Sequence, residues 1–130
     1  MYLLDTDTLV NIIRRKPAVL ANIRANYSVP KVFSIISYGE LIHGCHKSWN
    51  FKESHNDVKQ LQFFYPIIEV SLDIMNCFGE VKASLSRSGI TIEDFDLLIG
   101  CTALTMNYTV VTNNIKHFGK IPNLKIVNWS

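Results

Sequence analysis

The chain has 130 residues, 48% apolar and 18% charged, which builds a sizeable core in one globular domain spanning residues 1–130 and excludes a disordered or low-complexity chain. Its 13 Lys and Arg against 11 Asp and Glu leave a formal charge of +2, too small by itself to specify a nucleic-acid partner. Cys45, Cys77 and Cys101 are odd in number and lack C-x-x-C spacing, and no secretory signal or long apolar run is present, so a soluble cytoplasmic protein with reduced thiols and no membrane association is expected.

The chain opens on the apolar run Met1-Tyr2-Leu3-Leu4, which stops abruptly in Asp5-Thr6-Asp7. Helical periodicity follows at Leu9, Ile12 and Ile13, so a buried strand turns into a helix over residues 8–15. Ligands of open α/β sheets bind beyond the carboxyl ends of the strands, where Asp5 would stand. The alternative is that Thr6 or Asp7 simply caps the helix. Pro17 suits the first turn of a helix over 17–26. Arg14, Arg15, Lys16, Arg24, Lys31 and Lys47 surround Asp5, Asp7 and Glu40 in this third of the sequence. That distribution suits a site holding a metal and a polyanion together, and equally an ordinary solvated face.

Residues 32–36 read as a β-branched and aromatic strand, and Ser37-Tyr38-Gly39-Glu40 opens a helix to about residue 47. Ser37-x-x-Glu40 fits a capping box, yet that turn also lies at a strand's carboxyl end. His43-Gly44-Cys45-His46 invites a zinc reading, but no second cluster is spaced to complete four ligands. A half-exposed helix over 51–65 stops at Pro66, a third strand covers 67–70, and an amphipathic helix over 72–88 ends at Gly89.

The next helix, 92–106, carries Asp96 among Phe95, Leu97, Leu98, Ile99, Gly100, Cys101, Ala103 and Leu104, as if buried all round. A carboxylate there is costly unless a cation or several hydrogen bonds compensate it. Thr91-x-x-Asp94 gives Asp94 a capping role, and two positions so close in sequence point apart on a helix. Asp96 is therefore the site candidate and Asp94 the cap. A strand at 108–112, a loop or single turn at 113–118 and a short strand at 124–127 complete an α/β chain whose mostly parallel sheet is covered on both faces.

Asp5, Glu40 and Asp96 brought to one sheet edge would repel one another and need a counter-ion. Oxygen-only donors select a hard cation, Mg2+ or Mn2+. Such an ion holds phosphate and activates water, and the chemistry that follows is phosphodiester hydrolysis.

Four blocks carry a family resemblance: Leu3-Leu4-Asp5-Thr6-Asp7; Ile36-Ser37-x-x-Glu40-Leu41-x-x-Gly44; Phe95-Asp96-Leu97-Leu98-Ile99-Gly100 with Ala103; and Val110-Val111-Thr112-Asn113-Asn114 with Phe118, closed by Val127-Asn128-Trp129. In order and content they resemble the PIN-domain ribonucleases, and more narrowly the VapC toxins of type II toxin–antitoxin modules. The resemblance implies a three-layer α/β/α fold with a sheet of four to five strands. It also implies a toxic endoribonuclease that uses Mg2+, or Mn2+, held by Asp5, Glu40 and Asp96 to cut structured RNA, tRNA above all. Thr112 matches a threonine beside the acidic cluster, and Thr6 and Asn114 join it as secondary candidates for positioning substrate. A homodimer and a cognate antitoxin that neutralises the toxin are implied as partners.

Two departures stand out. Asp7 occupies a position where many members have asparagine, and Asn113-Asn114-Ile115-Lys116-His117 replaces a block where many carry a fourth acid. Asn114 and His117 lack a carboxylate's charge, so one well-held metal and a weaker second one are expected. Two rival readings are a PIN-like module that binds RNA or a partner without cutting, and a haloacid-dehalogenase-like phosphatase suggested by Asp5-Thr6-Asp7.

Overall fold

A computed structural model describes all residues, 1–130. Five strands, β1 (Tyr2–Leu4), β2 (Lys31–Ser34), β3 (Ile67–Ile68), β4 (Thr109–Val111) and β5 (Ile126–Val127), lie in the order β3-β2-β1-β4-β5. Every pairing is parallel, where the sequence reading asked only for a mostly parallel sheet. The helices are α1 (Thr6–Ile13), α2 (Pro17–Ala25), α3 (Ile35–Lys47), α4 (Phe51–Phe64), α5 (Leu72–Arg87), α6 (Asp94–Met106) and α7 (Ile115–Phe118).

Strand side chains alternate between faces, and the three central strands divide the core accordingly. Leu3, Val32 and Val110 join Ile74, Leu85, Leu97, Ile99, Cys101 and Phe118 under α5, α6 and α7. Leu4, Phe33 and Val111 join Leu9, Val19, Leu41, Cys45, Val58, Leu61 and Trp129 under α1 to α4. The result is the expected three-layer α/β/α arrangement.

The order of connection fixes where a ligand site can form. From β1 the chain steps outward to β2 and β3, then returns to place β4 on the other side of β1. The crevice between β1 and β4 is the point where the direction reverses, and it opens at the strands' carboxyl ends. Leu4 pairs with Val111, so the next residues, Asp5 and Thr112, face each other across that crevice.

Several boundaries differ from the sequence reading. Helix α1 begins at Thr6 rather than residue 8, and its N-cap is Asp5, whose side chain makes no cap hydrogen bond. Strand β2 ends at Ser34, and Ile35 and Ile36 belong to α3. The cap of α3 is Ser34, whose Oγ accepts from the Ile36 N–H at 3.0 Å, so Ser37 and Glu40 are not a capping box. Asp94 is not a cap either: Glu93 holds the N-cap position of α6 without a side-chain bond, and Asp94 pairs with Lys82 at 2.8 Å in the open. Helix α6 is buried along most of its length but not all round, since Phe95 is 52% exposed.

Candidate active site

Asp5 leaves β1 almost fully buried, and three different elements close around it. Thr112, directly after β4, donates from Oγ1 to Asp5 Oδ2 at 2.8 Å. Asp7, in the first turn of α1, lies 3.5 Å from the same hydroxyl and 3.3 Å from the hydroxyl of Thr8, whose one hydrogen goes to a nearer carbonyl, and it accepts from the Asn113 N–H at 3.3 Å. Thr8 also reaches the Val111 carbonyl at 2.9 Å, which pins the start of α1 to β4. Burial, then the charge of Asp7 and a smaller contribution from Asp96, push the Asp5 carboxyl up to about 7, against the opposing hydrogen bond from Thr112. Burial likewise raises Asp7.

Glu40 enters from α3. Thr6 Oγ1 lies 2.7 Å from Glu40 Oε1 and 2.9 Å from the hydroxyl of Ser37. Thr6 has one hydrogen to give and a carboxylate only accepts, so Thr6 donates to Glu40 while Ser37, fully buried, donates to Thr6. Glu40 is thus held by a short relay of hydroxyls anchored inside the protein.

Asp96 comes from the first turn of α6, 20% exposed at its side chain. The Nδ1 of His117 lies 3.4 Å from its Oδ2 and 3.1 Å from the side-chain amide of Asn114. One ring nitrogen serves a single partner at a time: bare, it accepts from Asn114, and protonated, it donates to Asp96. Asn114 caps α7 in position, and its own N–H binds Thr112 Oγ1 at 2.9 Å.

The structure therefore gathers Asp5, Thr6, Glu40, Asp96, Thr112 and Asn114 at one end of the sheet, and adds Asp7, Ser37 and His117. Asp94 is left outside. No lysine or arginine forms an ion pair with any of these acids, the two ion pairs of the chain being Lys82 with Asp94 and His117 with Asp96. The desolvated carboxylates and their all-oxygen donor set fit a hard divalent cation. No three His, Cys, Asp or Glu side chains come together in a group that could by itself hold a metal ion. The fit is to an ion that keeps several waters and takes a few carboxylate oxygens, which is the habit of Mg2+.

The PIN domain model matches residues 2–124. This chain belongs to the PIN-domain family. Within it, the ribonuclease VapC2 of Rickettsia felis is 34% identical over 99% of this chain and 98% of its own length. The tRNA(fMet)-specific endonuclease VapC of Salmonella typhimurium is 28% identical over 98% and 97% of the two chains. Among solved structures, VapBC2 from Rickettsia felis bound to a promoter DNA fragment superposes with a TM-score of 0.94 at 31% identity, covering 99% of this chain and 98% of that one. The chain is a VapC-type PIN protein, which leaves the phosphatase reading of Asp5-Thr6-Asp7 without support.

As a PIN domain the site has a feature that sequence reasoning left open. Asp7 shares the Thr112 hydroxyl with Asp5 and belongs to the cluster. Ser37 was read as a cap, because the sequence does not reveal that α3 starts two residues earlier. His117 was named only as lacking the charge of a fourth acid, although its spacing of three from Asn114 brings the two side chains within 3.1 Å at the start of α7.

Proposed function

We propose that this PIN domain is the toxin of a toxin–antitoxin pair and a metal-dependent endoribonuclease acting on structured RNA, with tRNA as the substrate. The reading rests on one observation: the buried and half-buried carboxylates of Asp5, Asp7, Glu40 and Asp96 share one sheet edge with no lysine or arginine paired to them. The names of the relatives, ribonuclease and tRNA(fMet)-specific endonuclease, support the substrate class.

Asp5 and Asp96 are the residues that would hold the ion, Mg2+ or Mn2+. When bound, the ion would neutralise the acids, orient the scissile phosphate and activate water. Glu40, fixed by Thr6, orients the attacking water and accepts its proton as the oxygen–phosphorus bond forms. The bond from phosphorus to the 3′-oxygen breaks, and that oxygen takes a proton from solvent, leaving a 5′-phosphate and a 3′-hydroxyl. Thr112 holds Asp5 in place, and Asn114 and His117 stand where substrate passes Asp96. A second ion would bind more weakly, because these two residues carry no carboxylate. A cognate antitoxin, in keeping with the VapBC complexes among the structural neighbours, and a second copy of the chain complete the proposed assembly.

The deciding experiment is cleavage of total tRNA by the protein and by Asp96→Asn, first in EDTA and then with Mg2+ or Mn2+. Cutting of a few tRNA species that needs the ion and is lost in the variant is the expected result. A folded wild type that binds the ion yet cuts no RNA would point instead to a module that binds without catalysis.

A further inference from the structure

The turn between α3 and α4 is unlike the rest of the surface. Trp49 is 99% exposed and so contributes nothing to the core. Beside it, Phe51 is flanked by two imidazoles: His46 at 4.6 Å between ring centroids with a 40° tilt, and His55 stacked at 5.2 Å and 16°. Lys47 and Lys52 are exposed on either side of Trp49 in sequence. Of the two acids in this segment, Glu53 is bonded by Asn50, which caps α4 and donates to its carboxylate at 3.1 Å, and Asp57 is half-buried.

We propose that this turn is a stacking platform for unpaired bases of the RNA substrate, with Trp49 as its free ring. The inference rests on the ribonuclease reading for the identity of the ligand. Residues 46–57 contain no Ala, Val, Ile, Leu or Met. The rings, imidazoles, amides and two lysines of this segment are side chains that stack on bases and contact phosphates, and of its two acids Glu53 is bonded to Asn50 and Asp57 is half-buried. The His46–Phe51–His55 pile stiffens the turn and leaves both faces of the Trp49 indole open. Position agrees: Glu40 lies on the same helix as Lys47, about 10 Å along its axis at 1.5 Å per residue. A strand whose phosphate sits at the acids can reach the turn within a few nucleotides.

The two tryptophans make the test clean, because Trp129 is 4% exposed and packed edge-on against Tyr2 at 4.8 Å. Titration with a short single-stranded oligoadenylate should quench the solvent-exposed emission of the wild type. In Trp49→Phe, only the buried Trp129 emits and the quench should vanish. In Trp49→Ala, the KM for tRNA should rise about tenfold with kcat little changed, and Trp49→Phe should restore most of the loss. The Trp129 emission of each variant reports whether it has folded.

Wild-type KM in folded Trp49→Ala together with no quench would overturn the platform and leave the nuclease reading intact. Quenching by the oligonucleotide in a protein that cuts no RNA would do the reverse. A blue shift of Trp49 emission that follows protein concentration alone, without RNA, would assign the ring to a second copy of the chain and also overturn the proposal.

Discussion

Asp5 carries a proton through a range where an ordinary aspartate is bare, because burial and the neighbouring Asp7 oppose its charge and raise it from 3.8 to about 7. A raised carboxyl means that the folded state binds more protons than the unfolded one between those two values. Stability of the metal-free protein is therefore full below about pH 4 and falls as pH rises through about 7. Asp5→Asn removes the charge while keeping an oxygen for Thr112. It should melt several °C above the wild type near pH 8 and show almost no gain near pH 4, measured without divalent ions. An equal difference at both pH values would show that the Asp5 charge is not what limits stability. Thr6 invites a second substitution. Thr6→Val removes the donor to Glu40, and cleavage should drop about tenfold, with Thr6→Ser restoring it; equal losses in both would mean that the methyl group, and not the hydroxyl, is what matters. Asp5 and Asp96 were legible in the sequence because each acid interrupts an apolar run. Asp7 and Ser37 were not, since a polar residue in a helix's first turn has an ordinary capping explanation until the turn's neighbours are known.

The strands were legible for a related reason: parallel strands buried on both faces leave short unbroken apolar runs, as at Leu3-Leu4 and Val110-Val111. Their ends were not. Ile35 and Ile36 are β-branched and extend the apparent strand, yet the hydroxyl of Ser34 captures the Ile36 N–H and starts α3 there. The four-residue α7 was read as a loop or single turn because so short a segment shows no periodicity. Ser34 thus sets the register of the turn that carries Ser37 and presents Glu40. Ser34→Ala leaves that N–H without its partner in a fully buried place, at a cost of about 1–2 kcal/mol. The melting temperature should fall by about 4–8 °C, read by circular dichroism. An unchanged melt would mean that another group caps the helix.

Charge across the molecule is divided in a way that the net value of +2 conceals. Four acids crowd the crevice between β1 and β4, while Arg14, Arg15 and Lys16 stand exposed after α1, and Lys47, Lys52, Lys116 and Lys120 are exposed elsewhere. None of these seven cations forms an ion pair. On the proposed reading a polyanion would meet a positive surface interrupted by a negative notch, and the notch would face the phosphate to be cut. A divalent cation in the crevice reverses the local sign, so RNA affinity should depend on that ion beyond its share of ionic strength. Binding of tRNA to Glu40→Gln, in which Asp5 and Asp96 remain, should tighten about tenfold when Ca2+ replaces EDTA at constant ionic strength, which corresponds to about 1.4 kcal/mol. Fluorescence anisotropy of labelled tRNA measures it directly. The same gain should be absent in Asp5→Asn combined with Asp96→Asn, where the notch keeps only the charges of Asp7 and Glu40 and the two acids proposed to hold the ion are gone. Affinities that ignore the ion in both proteins would mean that RNA approaches over the lysines and arginines alone, and that the acids do not lie beneath the scissile phosphate.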